Sequence, residues 1–169
     1  MDSIIQGIAI YALPVIFAIT LHEAAHGYAA KHFGDFTAHN EGRISLNPIR
    51  HIDPVGTILV PLSLFIISKI TMGAGFLFGW AKPVPVNFSN LRHPKRDMLW
   101  VAVAGPSANL LMAILWAIVI KLAIAVPESN LAKPAVLMGI AGIEINIILM
   151  VLNLLPLPPL DGGRMAVIL

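Results

Sequence analysis

His22-Glu23-Ala24-Ala25-His26 closes an apolar run that begins near Ser3. On an α-helix, residues four apart share a face, so His22 and His26 present their imidazoles to a single point. Two such nitrogens suit zinc. Glu23, directly after the first histidine, stands beside the metal without having to bind it. From there it can take a proton from a metal-bound water, which is the chemistry behind an HExxH pattern. Five residues with three fixed positions recur by chance, and the setting is what sharpens them. Ionisable side chains in a segment otherwise fit for lipid are costly and usually functional. The bland alternative is a pair of surface histidines on an ordinary helix.

The rest of the chain supplies that setting. Of its 169 residues, 57% are hydrophobic and 12% charged, and the mean hydropathy is +0.83. Such values belong to an integral membrane protein, with the lipid bilayer as its surroundings. There is no cysteine, so any metal must use His, Asp or Glu. The net charge is only +2 and the basic residues lie in short loops. That pattern points to the membrane surface and to topology, not to nucleic acid. Met1-Asp2-Ser3 lacks the positive start of a signal peptide.

Residues 3–32 read as one long helix with Pro14 inside it, which a membrane helix tolerates. Turn signals follow at Gly34-Asp35, Asn40-Glu41-Gly42 and Asn47-Pro48. Between them Arg43-Ile44-Ser45-Leu46 alternates as a short strand would. Pro54 keeps Asp53 out of a helix interior. Residues 55–80 are apolar but interrupted by Pro61, Lys69 and Gly73-Ala74-Gly75, and the prolines at 83 and 85 make 81–87 extended. A basic loop carries Arg92, His93, Lys95 and Arg96. Spans are expected over 99–126 and 135–155, the second holding Glu144, Asn146 and Asn153. Alternate prolines from Pro156 to Pro159 then forbid a regular helix, and freed backbone at membrane depth must line a cavity or be buried. The chain reaches Leu169 eight residues after Asp161, in what reads as the opening of a further helix.

A catalytic zinc wants three protein ligands and an open position. Beyond the two histidines the candidates are Asp53, Glu144, Asp161 and the remaining histidines, and Asp161 is the best of them. It follows an unwound segment, and Gly162-Gly163 leave room for close approach of backbone. Its ordinary alternative is a helix N-cap. Topology offers a check. With the first helix ending at the cytoplasmic side, Lys31, Arg43 and Arg50 fall inside, as positive loops prefer. Were 55–80 a single span, Lys82, Arg92, Lys95 and Arg96 would lie outside and Asp161 would emerge opposite the histidines. If 55–80 instead dips in and returns, both problems vanish. The expected architecture is therefore an α-helical polytopic membrane protein, one domain over 1–169. It has about three full transmembrane helices, a re-entrant or broken segment and short membrane-associated β-strands.

The chain resembles the site-2 protease family of intramembrane zinc metalloproteases over nearly its whole length. HEAAH at 22–26, AGPSANL at 104–110 and NLLPLPPLDGG at 153–163 carry the resemblance. GRISLNPIRHIDPVGT at 42–57 and GWAKPVPVN at 79–87 are similar to a compact prokaryotic branch. The pairing of HExxH with a distant Asn-x-x-Pro-x-Pro-x-Leu-Asp-Gly is far more specific than either part. By position, the resemblance implies His22, His26 and Asp161 as ligands of one Zn2+, and Glu23 as catalytic base. It places Asn109 near the scissile carbonyl, where it would stabilise the oxyanion, with a helix-packing polar residue as its plainer role. Residues 42–50 and 81–87 would be strands holding an unwound transmembrane-helix substrate. It also implies a prokaryotic cell membrane with the active site towards the cytoplasm. Unlike larger relatives, the 169 residues leave no room for a PDZ or CBS-type domain, and Glu144 belongs to none of these motifs. The rival reading is a metal-ion transporter or a non-catalytic zinc-binding membrane protein, since His and Asp inside a membrane also mark ion pathways. A transporter gains nothing obvious from Glu23.

Overall fold

The protein is described from a computed structural model, over residues 2–73 and 79–167. Helix α1 (Asp2–His32) leads to a one-turn helix α2 (Thr37–Asn40) and a 3-10 turn at Pro48–His51. A π-helical turn at Pro54–Leu59 runs into α3 (Val60–Met72). A 3-10 turn at Phe88–Asn90 precedes α4 (Pro94–Ile124), then come α5 (Ala132–Asn153) and the short α6 (Asp161–Ala166). Among the described residues three helices are long and apolar enough to cross a membrane: Ala9–His32, Pro94–Ile124 and Ala132–Asn153.

These three spans pack inside out relative to a soluble bundle. The buried positions are small, among them Ala18, Ala24, Ala30, Ala102, Ala113 and Ala141, while Leu111, Ile114, Leu122, Ile140 and Ile148 are exposed. With lipid as apolar as leucine, close backbone approach rather than burial of large side chains holds such helices together. Gly142 shows how tight the approach is, because a Cβ there would lie inside the Trp116 indole. The cross-contacts fix direction. His26 meets Val101 and His22 meets Asn109, so α1 and α4 are antiparallel, and Asn146 meets Asn109 from the returning α5. The C-terminal end of α1 and the start of α4 are tied by a bond from Arg92 N–H to Phe33 O, with Ala30, Leu91 and Val101 buried together beneath it.

The 55–80 segment starts and finishes at that same end. Trp80 N–H donates to Gly56 O at 3.0 Å, Thr57 Oγ1 donates to Trp80 O at 2.8 Å, and Lys82 N–H donates to His51 O at 2.9 Å. Gly56 is needed for this closure, since any Cβ there would collide with the Trp80 indole. Asp53 caps the entry by accepting from Val55 and Gly56 N–H. α3 holds 13 residues, about 20 Å of helix, and continues the π-helical turn without a break from Pro54. Gly73 ends it at φ 69°, while Ala74 and Gly75, the rest of the expected turn, lie outside the described residues. The two ends therefore meet as a re-entrant segment requires.

The expected β-strands are a correction: among the described residues no strand is assigned, either over 42–50 or over 81–87. Both stretches are largely extended, but their backbone groups are taken by side chains instead of a ladder. Arg43 Nη2 donates to Lys82 O and Pro83 O, and Glu23 accepts from Val84 N–H. Pro83 and Pro85 have no N–H to give.

Asp35 secures the loop after α1. It is fully buried, and it accepts from Thr37 N–H and Oγ1, Asn87 N–H and Asn90 Nδ2. Burial pushes its carboxyl up, but these donors outweigh burial and hold it below the usual range. The bonds thus link the α1 end to the α4 entry.

Candidate metal centre

The two histidines of α1 aim one nitrogen each at Asp161, which lies 135 positions from His26 in the chain. His22 Nε2 stands 3.3 Å and His26 Nε2 3.1 Å from Asp161 Oδ2, and the two Nε2 atoms are 3.1 Å apart. All three residues are buried. Asp161 is the first residue of α6; its Oδ2 faces the two histidines, while Arg164 Nη1 lies 3.8 Å from its Oδ1. The start of α6 fits against the preceding loop because Gly162 and Gly163 carry no Cβ, which would strike the backbone of Leu154, Leu155 and Leu157.

The other ring nitrogens are held from α4. His26 Nδ1 lies 2.7 Å from Val101 O. A carbonyl only accepts, so Nδ1 carries a proton, and in the neutral ring Nε2 keeps the lone pair. His22 Nδ1 lies 2.6 Å from Asn109 Oδ1. The Asn109 NH2 group donates to Ala18 O at 3.3 Å and Asn146 Oδ1 at 2.9 Å, and Asn146 Nδ2 donates to Gly142 O at 2.8 Å. Read along that chain, His22 is also protonated on Nδ1. Acceptors behind the rings, such as Val101 O and Asn109 Oδ1, fix which nitrogen faces a metal.

The donor set fits a cation. Two imidazole nitrogens and a carboxylate oxygen lie within 3.3 Å of one another, a set of lone-pair donors that a cation can share once the ring nitrogens are unprotonated. Ligands at about 2.0–2.1 Å on a tetrahedral zinc stand about 3.3 Å apart, close to the separations found. Gly105 of α4 borders the same space. A Cβ there would fall onto His26 Nε2 and within 2.7 Å of His22 Nε2, so the absent side chain leaves the room an ion needs. Asp53 and Glu144, the other acidic candidates, are elsewhere: Asp53 caps the turn at Pro54–Leu59 and Glu144 accepts from Tyr11 Oη at 3.5 Å. Among the described residues, His22, His26 and Asp161 form the group that could hold a metal.

Three similar proteins carry names consistent with this geometry. "Putative zinc metalloprotease YwhC" of Bacillus subtilis (strain 168) is 41% identical over 157 residues, covering 90% of this chain and 65% of the relative. "Putative zinc metalloprotease Rip2" of Mycolicibacterium smegmatis is 28% identical over 148 residues, and that of Mycobacterium tuberculosis (strain Erdman) 31% over 151. The likeness to these putative zinc metalloproteases covers about 90% of the chain, as expected of the site-2 protease type. It spans about two thirds of the first relative's length and about half of the Rip2 proteins'. No family model and no solved structure matches it.

Glu23 and Asn109 occupy different kinds of place. Glu23 is half-buried beside the cluster, with Oε2 on Val84 N–H at 2.8 Å. Asn109 is fully buried, and both ends of its amide are engaged by His22, Ala18 and Asn146. It orients a histidine here. Gly105, Val101 and Val84 are site residues that spacing alone did not single out. The available signal for Gly105 was a Gly-Pro pair inside an apolar span, where an interruption needs a reason.

Proposed function

We propose that this protein is an intramembrane zinc metalloprotease that hydrolyses peptide bonds in or near transmembrane helices of other membrane proteins. The observation that carries this reading is the convergence of His22 Nε2, His26 Nε2 and Asp161 Oδ2 within an apolar helix bundle, with an acidic residue directly after the first histidine. A zinc ion held by His22, His26 and Asp161 supplies a Lewis acid that polarises a carbonyl and acidifies water. Glu23 accepts a proton from the attacking water and returns it to the leaving nitrogen. Asn109 and Val101 keep the two imidazoles in the tautomer that offers Nε2. An oxyanion role for Asn109 would require its NH2 to leave Ala18 and Asn146. The substrate must be unwound before its carbonyls are reachable, because a helix ties them into its own bonds. The 43–47 stretch, beside the site, is the one suited to hold an unwound substrate by backbone pairing, because the 82–84 backbone is already bonded to His51, Arg43 and Glu23.

Asp161 variants test the ligand set. Asp161→Ala leaves two protein ligands and Asp161→Asn removes the charge facing the metal. Both are expected to lose zinc and cleavage of a model transmembrane substrate together, read by elemental analysis and gel assay, with a chelator reproducing the loss in wild type. Zinc retained at full activity in Asp161→Ala would remove it from the ligand set.

The site end is proposed to face the cytoplasm of a prokaryotic cell. Lys31, Arg43, Arg50, Lys82, Arg92, Lys95, Arg96 and Arg164 lie in segments at that end, against Lys121 and Lys133 at the other, which is the asymmetry of a positive-inside protein. Cysteines introduced singly at Asn40, Asn90 and Glu128 into this cysteine-free chain are expected to label from the inner, inner and outer sides. Outer labelling at position 90 would overturn the orientation.

A further inference from the structure

Glu23 is not left loose beside the histidines. It is the only acidic residue in the Ala9–His32 span, and its Oε2 accepts from a backbone N–H that arrives from 61 positions away. That donor belongs to Val84, whose side chain is 6% exposed. Gly27, one turn beyond Glu23 on α1, makes the seat, since a Cβ there would come within 3.2 Å of Val84 Cγ1. Val84 lies between Pro83 and Pro85, so its N–H is the single backbone donor in that triplet. The preceding residue pair is clamped from another side. Lys82 N–H donates to His51 O at 2.9 Å, while Arg43 Nη2 reaches Lys82 O at 3.1 Å and Pro83 O at 3.2 Å. The backbone at 82–84 is thus braced by three separate parts of the fold, and its one free donor points at the carboxylate.

We infer that the Val84 N–H is a positioning group for Glu23. A glutamate has three rotors to freeze, and a charge-assisted bond to a braced backbone donor freezes them around one oxygen. With Oε2 committed to Val84, Oε1 is the oxygen presented for proton transfer. A brace of purely structural purpose could have ended on any carbonyl of α1. This one ends on the side chain that the protease reading makes the base, and the inference rests on that reading. The role of Val84 is indirect: it touches neither substrate nor metal, and acts through where it holds Glu23.

The test removes the N–H and nothing else. In the full chain, Val84 is replaced by its α-hydroxy acid through nonsense suppression, which turns the amide into an ester; Val84→Pro is the second variant, and the same ester at Val86 is the control. Zinc content, kcat and KM on a model transmembrane substrate are measured, together with hydrogen exchange at the Val84 amide in wild type and Glu23→Ala. The ester and proline variants are expected to lose kcat by at least about tenfold, the scale of one bond to a charged group. Zinc and KM should hold, and the Val86 ester should match wild type. The Val84 amide should exchange slowly in wild type and faster in Glu23→Ala. An unchanged or raised kcat in the Val84 ester overturns the inference, the second outcome meaning that the brace shuts the base instead of aiming it. So does an equal fall in the Val86 ester. A wild type that cleaves nothing ends the protease reading and this role with it, and the exchange data then still report whether the bond forms.

Discussion

Glu23→Gln is expected to keep its zinc and lose cleavage by at least ~10²-fold, the scale of a missing general base. The substitution preserves shape and leaves His22, His26 and Asp161 untouched. Glutamine can still accept from the Val84 N–H through its amide oxygen, so the brace at 82–84 should stay where it is. What disappears is the ability to take up a proton and give it back. Metal content by elemental analysis, measured beside cleavage of a transmembrane substrate, separates the protease from its rivals. A transporter or a silent zinc-binding protein has no use for a base, so metal handling would survive with nothing further to lose. Zinc lost from Glu23→Gln would instead make Glu23 a ligand.

Gly105→Ala should be nearly as damaging, by a different route. The added methyl group falls on His26 Nε2 and beside His22 Nε2, in the space where the three donors converge. Either the methyl displaces the ion or α4 retreats from α1, and both outcomes should empty the site. Zinc content is expected to fall with activity, while the helical circular dichroism stays, because alanine favours a helix more than glycine does. Gly73→Ala makes the contrast, since nothing among the described residues lies within 4 Å of a Cβ at that position. Its cost should be that of a positive φ, with zinc kept. Full zinc in Gly105→Ala would mean that the ion lies elsewhere.

Much of this site was legible before any coordinates. The four-residue spacing of His22 and His26 needs only helix geometry, and the return of 55–80 could be argued from where Lys82, Arg92, Lys95 and Arg96 had to lie. Asp161 stood out because prolines unwind the chain before it. The strands were misread for a physical reason. Alternation over 43–46 and prolines over 83–85 describe extended chain, but whether extended chain pairs depends on what its N–H and C=O groups meet. Here Arg43 and Glu23 took those groups, and no local pattern announces a side chain arriving from another part of the fold. The role of Gly105 was hidden likewise, for it depends on which face of α4 lies against the histidines. Asn109 was noticed, yet its expected post near the scissile carbonyl gave no hint that its amide oxygen meets His22.

The bonds from His22 through Asn109 and Asn146 to Gly142 all donate the same way, and that shared sense has a consequence. Its direction is set by two carbonyls that can never donate, Gly142 O at the far end and Ala18 O beside Asn109. If Asn146 were leucine, the Asn109 amide would keep only the longer bond to Ala18 O, at 3.3 Å, to tell its two ends apart, and would turn over more readily. With the amide turned, its NH2 would face His22 Nδ1, and the proton would have to move to Nε2, the nitrogen that should be bare. Asn146→Leu is therefore expected to weaken zinc, by up to about tenfold, without touching a ligand, as measured by competition with a chelator. In that sense one carbonyl on the first span and one on the third set the polarity of a row of dipoles that ends at the metal.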